Sequence, residues 1–276
     1  MKRTKELNSM NEDARSIENL KKAILQDYPR LTEEDTFKFA CRPGLSCFNE
    51  CCCDVNIFLT PYDILRMKNA LSITSEEFLD RYTITPIDKN QNYPVVLLKM
   101  QDDEKKTCHF VSAEGCTIYD DRPWACRYYP VGLASPKEGE SEVEQEFYFI
   151  LQEDVCKGFE EDKEWRISEW RVDQGLEKYD EFGKLFKEIT LHDYFGRGKQ
   201  LDPPRMELFH MVCYNLDKFR RFVRESSFLN RFEIEPDLLE KILEDDEELL
   251  QFGFRWLKFA LFAEKTIKIK PAALRG

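Results

Sequence analysis

The chain has 276 residues, 42% of them hydrophobic and 21 of them phenylalanine, which is enough apolar material for an ordinary core without covalent staples. Charged residues make up 34%, the mean hydropathy is −0.56, the formal net charge is −12 and the pI is ≈ 5.0. That balance argues against non-specific binding to nucleic acid or an anionic membrane, since both need a basic face and the longest basic run is "FRRFVR". No apolar run approaches the roughly 20 residues of a membrane helix. The charged N-terminus "MKRTKELNSMNEDARSIENL" lacks a secretory core. The expectation is a cytoplasmic chain with no nucleic-acid or membrane partner, in a compartment where thiols stay reduced.

Residues 13 to 27 carry Ile17, Leu20 and Ile24 at helical spacing and predict a surface helix closed by Pro29. "LTPYDILRMKNAL" predicts a helix start, with Thr60 as cap, Pro61 in the first helical position and Asp63 in the third. A second start follows at "SITSEEFLDRY", capped by Thr74 or Ser75. "YPVVLLKM", "CTIY" and "EFYFIL" read as short strands, and "SPKEGESEVEQ" (135 to 145) as an exposed loop or hairpin tip. Beyond residue 160 the pattern is helical. Leu176, Tyr179, Phe182, Leu185, Phe186 and Ile189 trace one face, and Met206, Phe209, Cys213, Leu216, Phe219 and Val223 trace another. A last helix is expected from about Asp237 to Ile267, its acidic run "EDDEE" solvated. The resulting fold class is α+β and helix-rich, with a small antiparallel β element beside cysteine-rich loops and a helical C-terminal half. The expected organisation is a helical segment at 1–35, a cysteine-cluster domain at 36–160 and a helical region at 161–276.

Ten cysteines are unevenly placed, nine of them between Cys41 and Cys156 and only Cys213 beyond. In a reducing compartment such clustering points to metal ligation before bridging. Thiolates a few residues apart on a tight loop reach one soft cation, and sites made only of thiolate favour zinc or iron–sulfur clusters. Four thiolates fill one such site, so nine local cysteines allow two sites or one with bystanders. Adjacent cysteines diverge in a strand, but in an irregular loop they can share a metal. His109 adjoins Cys108 and is a weaker ligand candidate, while His192, His210 and Cys213 read as ordinary groups on helices. Arg122 and Arg127 flank Cys126, where cations offset thiolate charge; the plainer reading pairs them with Asp120 and Asp121. Cys47-x3-Cys51 matches the first gap of a radical-enzyme motif, but the next ligand would be residue 54, which is Asp54. No phosphate loop, Rossmann fingerprint, HExxH or GxSxG is present.

The order of "CRPGLSCFNECC", "IFLTPYDILRMK", "CHF…GCTIYDDRPWACRYYP" and "CKGF" over about residues 36 to 160 resembles the YkgJ-type cysteine-cluster family of zinc- or iron-chelating proteins, with a CxxCxxCC-like signature. The first spacing, Cys41 to Cys47, is longer than that signature. The resemblance implies a metal-ligand set of Cys41, Cys47, Cys51, Cys52, Cys108, Cys116, Cys126 and Cys156, with Cys53 as the extra thiol. An iron–sulfur cluster is favoured slightly over zinc, with electron transfer as a role. The alternatives are a structural zinc site in a module that binds a protein partner and, more distantly, a protein-modifying enzyme similar to the flagellin lysine methylases.

Overall fold

The computed structural model describes residues 28–86, 92–135 and 146–274. The expected helix at 13–27 and all of the expected loop at 135–145 except Ser135 lie outside the described residues. The fold is the expected helix-rich α+β, with several small antiparallel sheets. Among the described residues, no helix is long and apolar enough to cross a membrane. The described residues form two compact units, one within 28–46 and 128–174, the other within 47–127 and 175–274.

In the first unit the strand Thr36–Lys38 pairs antiparallel with Glu164–Arg166, and Val131–Ala134 pairs antiparallel with Phe147–Ile150. The second of these pairs contains the strand expected in "EFYFIL". Phe39 sets its ring edge against Trp170 at 5.7 Å, and the buried Trp170 indole donates to the Tyr128 carbonyl at 3.0 Å. The indole N–H is thereby satisfied inside an aromatic cluster, as burial of a tryptophan requires.

The second unit begins its helices where the sequence signals them. Thr60 Oγ1 accepts from the Asp63 amide at 3.1 Å, and Asp63 Oδ2 accepts from the Thr60 amide at 2.7 Å, a reciprocal capping box that opens the helix Pro61–Ala70. Thr74 caps the helix Ser75–Tyr82 by accepting from the Glu77 amide at 3.1 Å. Ser75 instead donates through both its amide and its hydroxyl to Asp217. A three-stranded sheet orders Phe58–Leu59, Val96–Leu98 and Thr83–Ile84 antiparallel, so the strand expected in "YPVVLLKM" is its centre.

Two expected helices are each split. The face from Met206 to Val223 belongs to Pro203–Tyr214 and Leu216–Glu225, and the last helix is Pro236–Glu244 followed by Asp246–Phe262. Asn215 and Asp245 stand at the breaks, and their side chains accept from the Lys218 and Glu248 amides. Each side chain satisfies a donor that a continuing helix would have satisfied with its own carbonyls. The helices pack through aromatics. Tyr62 stacks on Phe182 at 4.3 Å, and Phe219 stacks on Trp256 at 5.5 Å. Cys213, fully buried at 0% exposure, belongs to this core.

Candidate metal centre

Cys41 and Cys156 belong to the first unit, and the other candidate ligands to the second. In the first unit the segments bearing Cys41 and Cys156 run side by side: the Ala40 amide donates to the Gly158 carbonyl at 3.0 Å. A Cβ on Gly158 would lie 2.6 Å from the Phe39 ring and 2.9 Å from the Ala40 carbonyl, so only glycine allows this approach. Arg42 then clasps Glu161 with two hydrogen bonds, at 3.1 and 3.0 Å.

In the second unit three chain segments converge. Cys51 and Cys52 lie in the single turn Glu50–Cys52, bracketed by Asn49 and Asp54, both with positive φ. Asn and Asp tolerate that left-handed backbone better than most residues, which is why they can flank the cysteine run. The Cys108 amide donates to the Cys52 carbonyl at 2.8 Å, and the Asp54 amide donates to the Lys106 carbonyl at 3.0 Å, so residues 52–54 lie against 106–108. The hairpin of Val111–Ser112 and Gly115–Cys116 brings in Cys116, and Asn49 Nδ2 fastens it by donating to the Ser112 carbonyl at 2.8 Å. The strand expected in "CTIY" is this shorter one, since Tyr119–Asp121 already forms a 3-10 turn. The short helix Trp124–Tyr128 supplies Cys126.

The thiols brought together feel one another. Cys52 donates to Cys51, and this bond, burial and the charges of Cys51, Cys108 and Cys126 all push its pKa upward. Burial first, then Cys116 and Cys53, raise Cys108 despite a stabilising Phe110 amide. Cys126 keeps an open surface, yet protein crowds its thiol on most sides; that desolvation, with the charges of Cys108, Asp63 and Cys116, pushes it up to about 12. Each thiolate thus resists the ionisation of its neighbours, and a bound soft cation reverses that balance. Cys47 precedes the turn, its carbonyl accepting from the Glu50 amide. Cys53 is not set apart from the group: its thiol donates to the Asn49 carbonyl at 3.8 Å, and its charge reaches Cys108.

The donor chemistry fits a thiophilic metal. The spacing is looser than ligation: among the described residues, no three His, Cys, Asp or Glu side chains stand close enough together to hold an ion as they are.

Two arginines that flank Cys126 in sequence are buried, Arg122 at 7% and Arg127 at 6% exposure; the charge of Arg122 acts on the Cys126 thiol, whereas Arg127 lies over the Tyr179 ring. Both arginines make contacts to backbone carbonyls of this segment. Arg127 Nε donates to the Arg122 carbonyl at 3.1 Å and another guanidinium nitrogen donates to the Asp120 carbonyl, while Arg122 donates to the Tyr119 carbonyl. The Asp121 carboxylate pairs with Arg66. Burial works against the Arg122 charge; Tyr119, Cys126 and Cys116 favour it. His109 turns its ring edge-on to Tyr82 at 5.6 Å. The sequence signals only the helix-capping role of Asp63. Its other carboxylate oxygen accepts from the Trp124 amide at 2.7 Å, a contact between residues 61 apart in sequence that no local pattern signals. Burial pushes the Asp63 carboxyl up to about 6 against these hydrogen bonds.

No curated protein and no solved structure matches the chain. Residues 40–162 match one family model, CxxCxxCC, described as "Putative zinc- or iron-chelating domain". That span contains nine of the ten cysteines, and its description agrees with the cysteine-cluster family that their order resembles.

Proposed function

We propose that the chain holds an iron–sulfur cluster, or failing that zinc, through its clustered thiols, with Cys47, Cys51, Cys52, Cys108, Cys116 and Cys126 supplied by the second unit. The observation that supports this is the convergence of Cys51, Cys52, Cys108, Cys116 and Cys126 from three separate chain segments onto one neighbourhood without a histidine among them. Purely thiolate sets suit iron–sulfur clusters and structural zinc alike. The lean to iron rests on the buried Arg122, whose positive charge acts on Cys126 and Cys116 and would offset a strongly anionic cluster. An iron–sulfur cluster would supply one-electron transfer, and the role proposed for the chain is redox or electron transfer. The family resemblance extends the ligand set to Cys41 and Cys156. The second reading, a structural zinc site in a protein-binding module, is favoured by the number of thiols, since four close one zinc without an open position.

Anaerobic purification followed by a visible spectrum and iron, sulfide and zinc analysis separates the two. The expected result is a brown protein with broad thiolate-to-iron absorption and matching iron and sulfide. A colourless protein with stoichiometric zinc assigns the structural reading instead.

A further inference from the structure

The turn that carries Cys126 is short, and a five-residue helix has little stability of its own. Its position must come from outside contacts, and these fall on the first residue of the turn, Trp124. Asp63 is fully buried at 0% exposure, and its carboxylate has two distinct partners. One oxygen closes the cap of Pro61–Ala70 by accepting from the Thr60 amide; the other accepts from the Trp124 amide at 2.7 Å. The Trp124 indole is held separately, donating to Asp180 at 2.8 Å. Trp124 therefore leads into Cys126 with its backbone and its ring both fixed.

We propose that Asp63 is a positioning residue that fixes the Cys126 thiol toward the other cysteines by joining the start of Pro61–Ala70 to the start of the Cys126 turn. The inference rests on Cys126 being a metal ligand. A carboxylate is the group that can do this, because it accepts on both oxygens at once. An asparagine of the same size keeps one acceptor and turns a donor toward the second amide, so one of the two joints opens. Loosened supports beyond the ligands themselves typically weaken metal binding by about 10–100-fold.

The test uses the full chain, cobalt(II) as the probe of thiolate ligation, and amide hydrogen exchange. Asp63→Asn is expected to speed exchange at residues 124–127 and to weaken cobalt binding by about 10–100-fold. In a Cys126→Ser background the same change is expected to weaken cobalt binding no further, because its effect runs through Cys126. Thr60→Ala removes the hydroxyl half of the cap and leaves the Trp124 contact, so it should lower thermal stability without altering either readout. Should Asp63→Asn not fold, Asp63→Glu keeps an ordinary capping-box residue while moving the carboxylate off the Trp124 amide, and the same outcomes apply. Unchanged exchange at 124–127, or an equal loss of cobalt affinity with and without Cys126, overturns the proposal. A wild-type chain that takes up no cobalt overturns the reading of the site and with it the part Asp63 plays in ligation; faster exchange in Asp63→Asn would then make Asp63 a strut of the fold alone.

Discussion

Cys51→Ser and Cys126→Ser are each expected to strip the chain of most of its metal, whereas Cys213→Ser should retain it. A hydroxyl is a poor ligand for a soft metal, and losing a direct thiolate should exceed the roughly 10–100-fold cost of disturbing an outer contact. Cys51 and Cys126 come from different segments, so the two variants test separate arms of the constellation. Cys213 is fully enclosed by the helical core. There serine buries a hydroxyl among apolar groups, at a cost on the order of 1–3 kcal/mol. The variants should therefore separate cleanly: metal content falls for the first two, and the denaturation midpoint falls for the third. Cys53→Ser is expected to keep its metal, as the extra thiol that the family resemblance implies. Metal content equal in all four variants would sink the ligand assignment.

The second large effect lies away from the thiols. Lys68, with a side chain 7% exposed, donates to Asp246 at 2.8 Å, and Arg220 donates to the same carboxylate at 2.6 Å. Asp217 stands 3.9 Å from Lys68 and 3.6 Å from Arg220. Removing one member of a buried ion pair typically costs about 3–5 kcal/mol, because the partner charge is stranded. Asp246→Ala leaves Asp217 to share two cations, so its expected cost sits toward the lower end of that range. Burial alone would raise the Asp246 pKa, but hydrogen bonds from Lys68 and Arg220 outweigh it and hold it below the usual carboxylate value. Folded Asp246 thus binds its proton less tightly than the unfolded residue. Its stabilising contribution is complete above about pH 4 and is lost as pH falls through the folded value. The wild type and Asp246→Ala should then differ most in urea midpoint near neutral pH and converge in acid; a constant difference across that range would contradict the assignment.

How much of this was legible depended on how local each signal was. Thr60, Pro61 and Asp63 announce a helix within four residues, and the helix begins there. The splits at Asn215 and Asp245 were also local signals, each a capping residue ahead of an apolar run, but the apolar face continues across both breaks and masked them. The strand Val131–Ala134 carries Gly132 and little strand character; its pairing with Phe147–Ile150 makes it a strand. "EDDEE" read as solvated because its partners Lys68 and Arg220 are remote in sequence, yet Asp246 is only 16% exposed at its side chain. For the site, the cysteine order carried the family and the donor type. It could not carry the ladder between 52–54 and 106–108, the left-handed turns at Asn49 and Asp54, or the reach of Asp63 to Trp124, all of which depend on tertiary contacts.

The central claim is that thiolates alone surround the metal. X-ray absorption at the edge of whichever metal the purified chain retains measures that directly. The expected first shell is made of sulfur at about 2.3 Å, with a further iron neighbour if the metal is a cluster. A first shell dominated by nitrogen or oxygen at about 2.0–2.2 Å would contradict it.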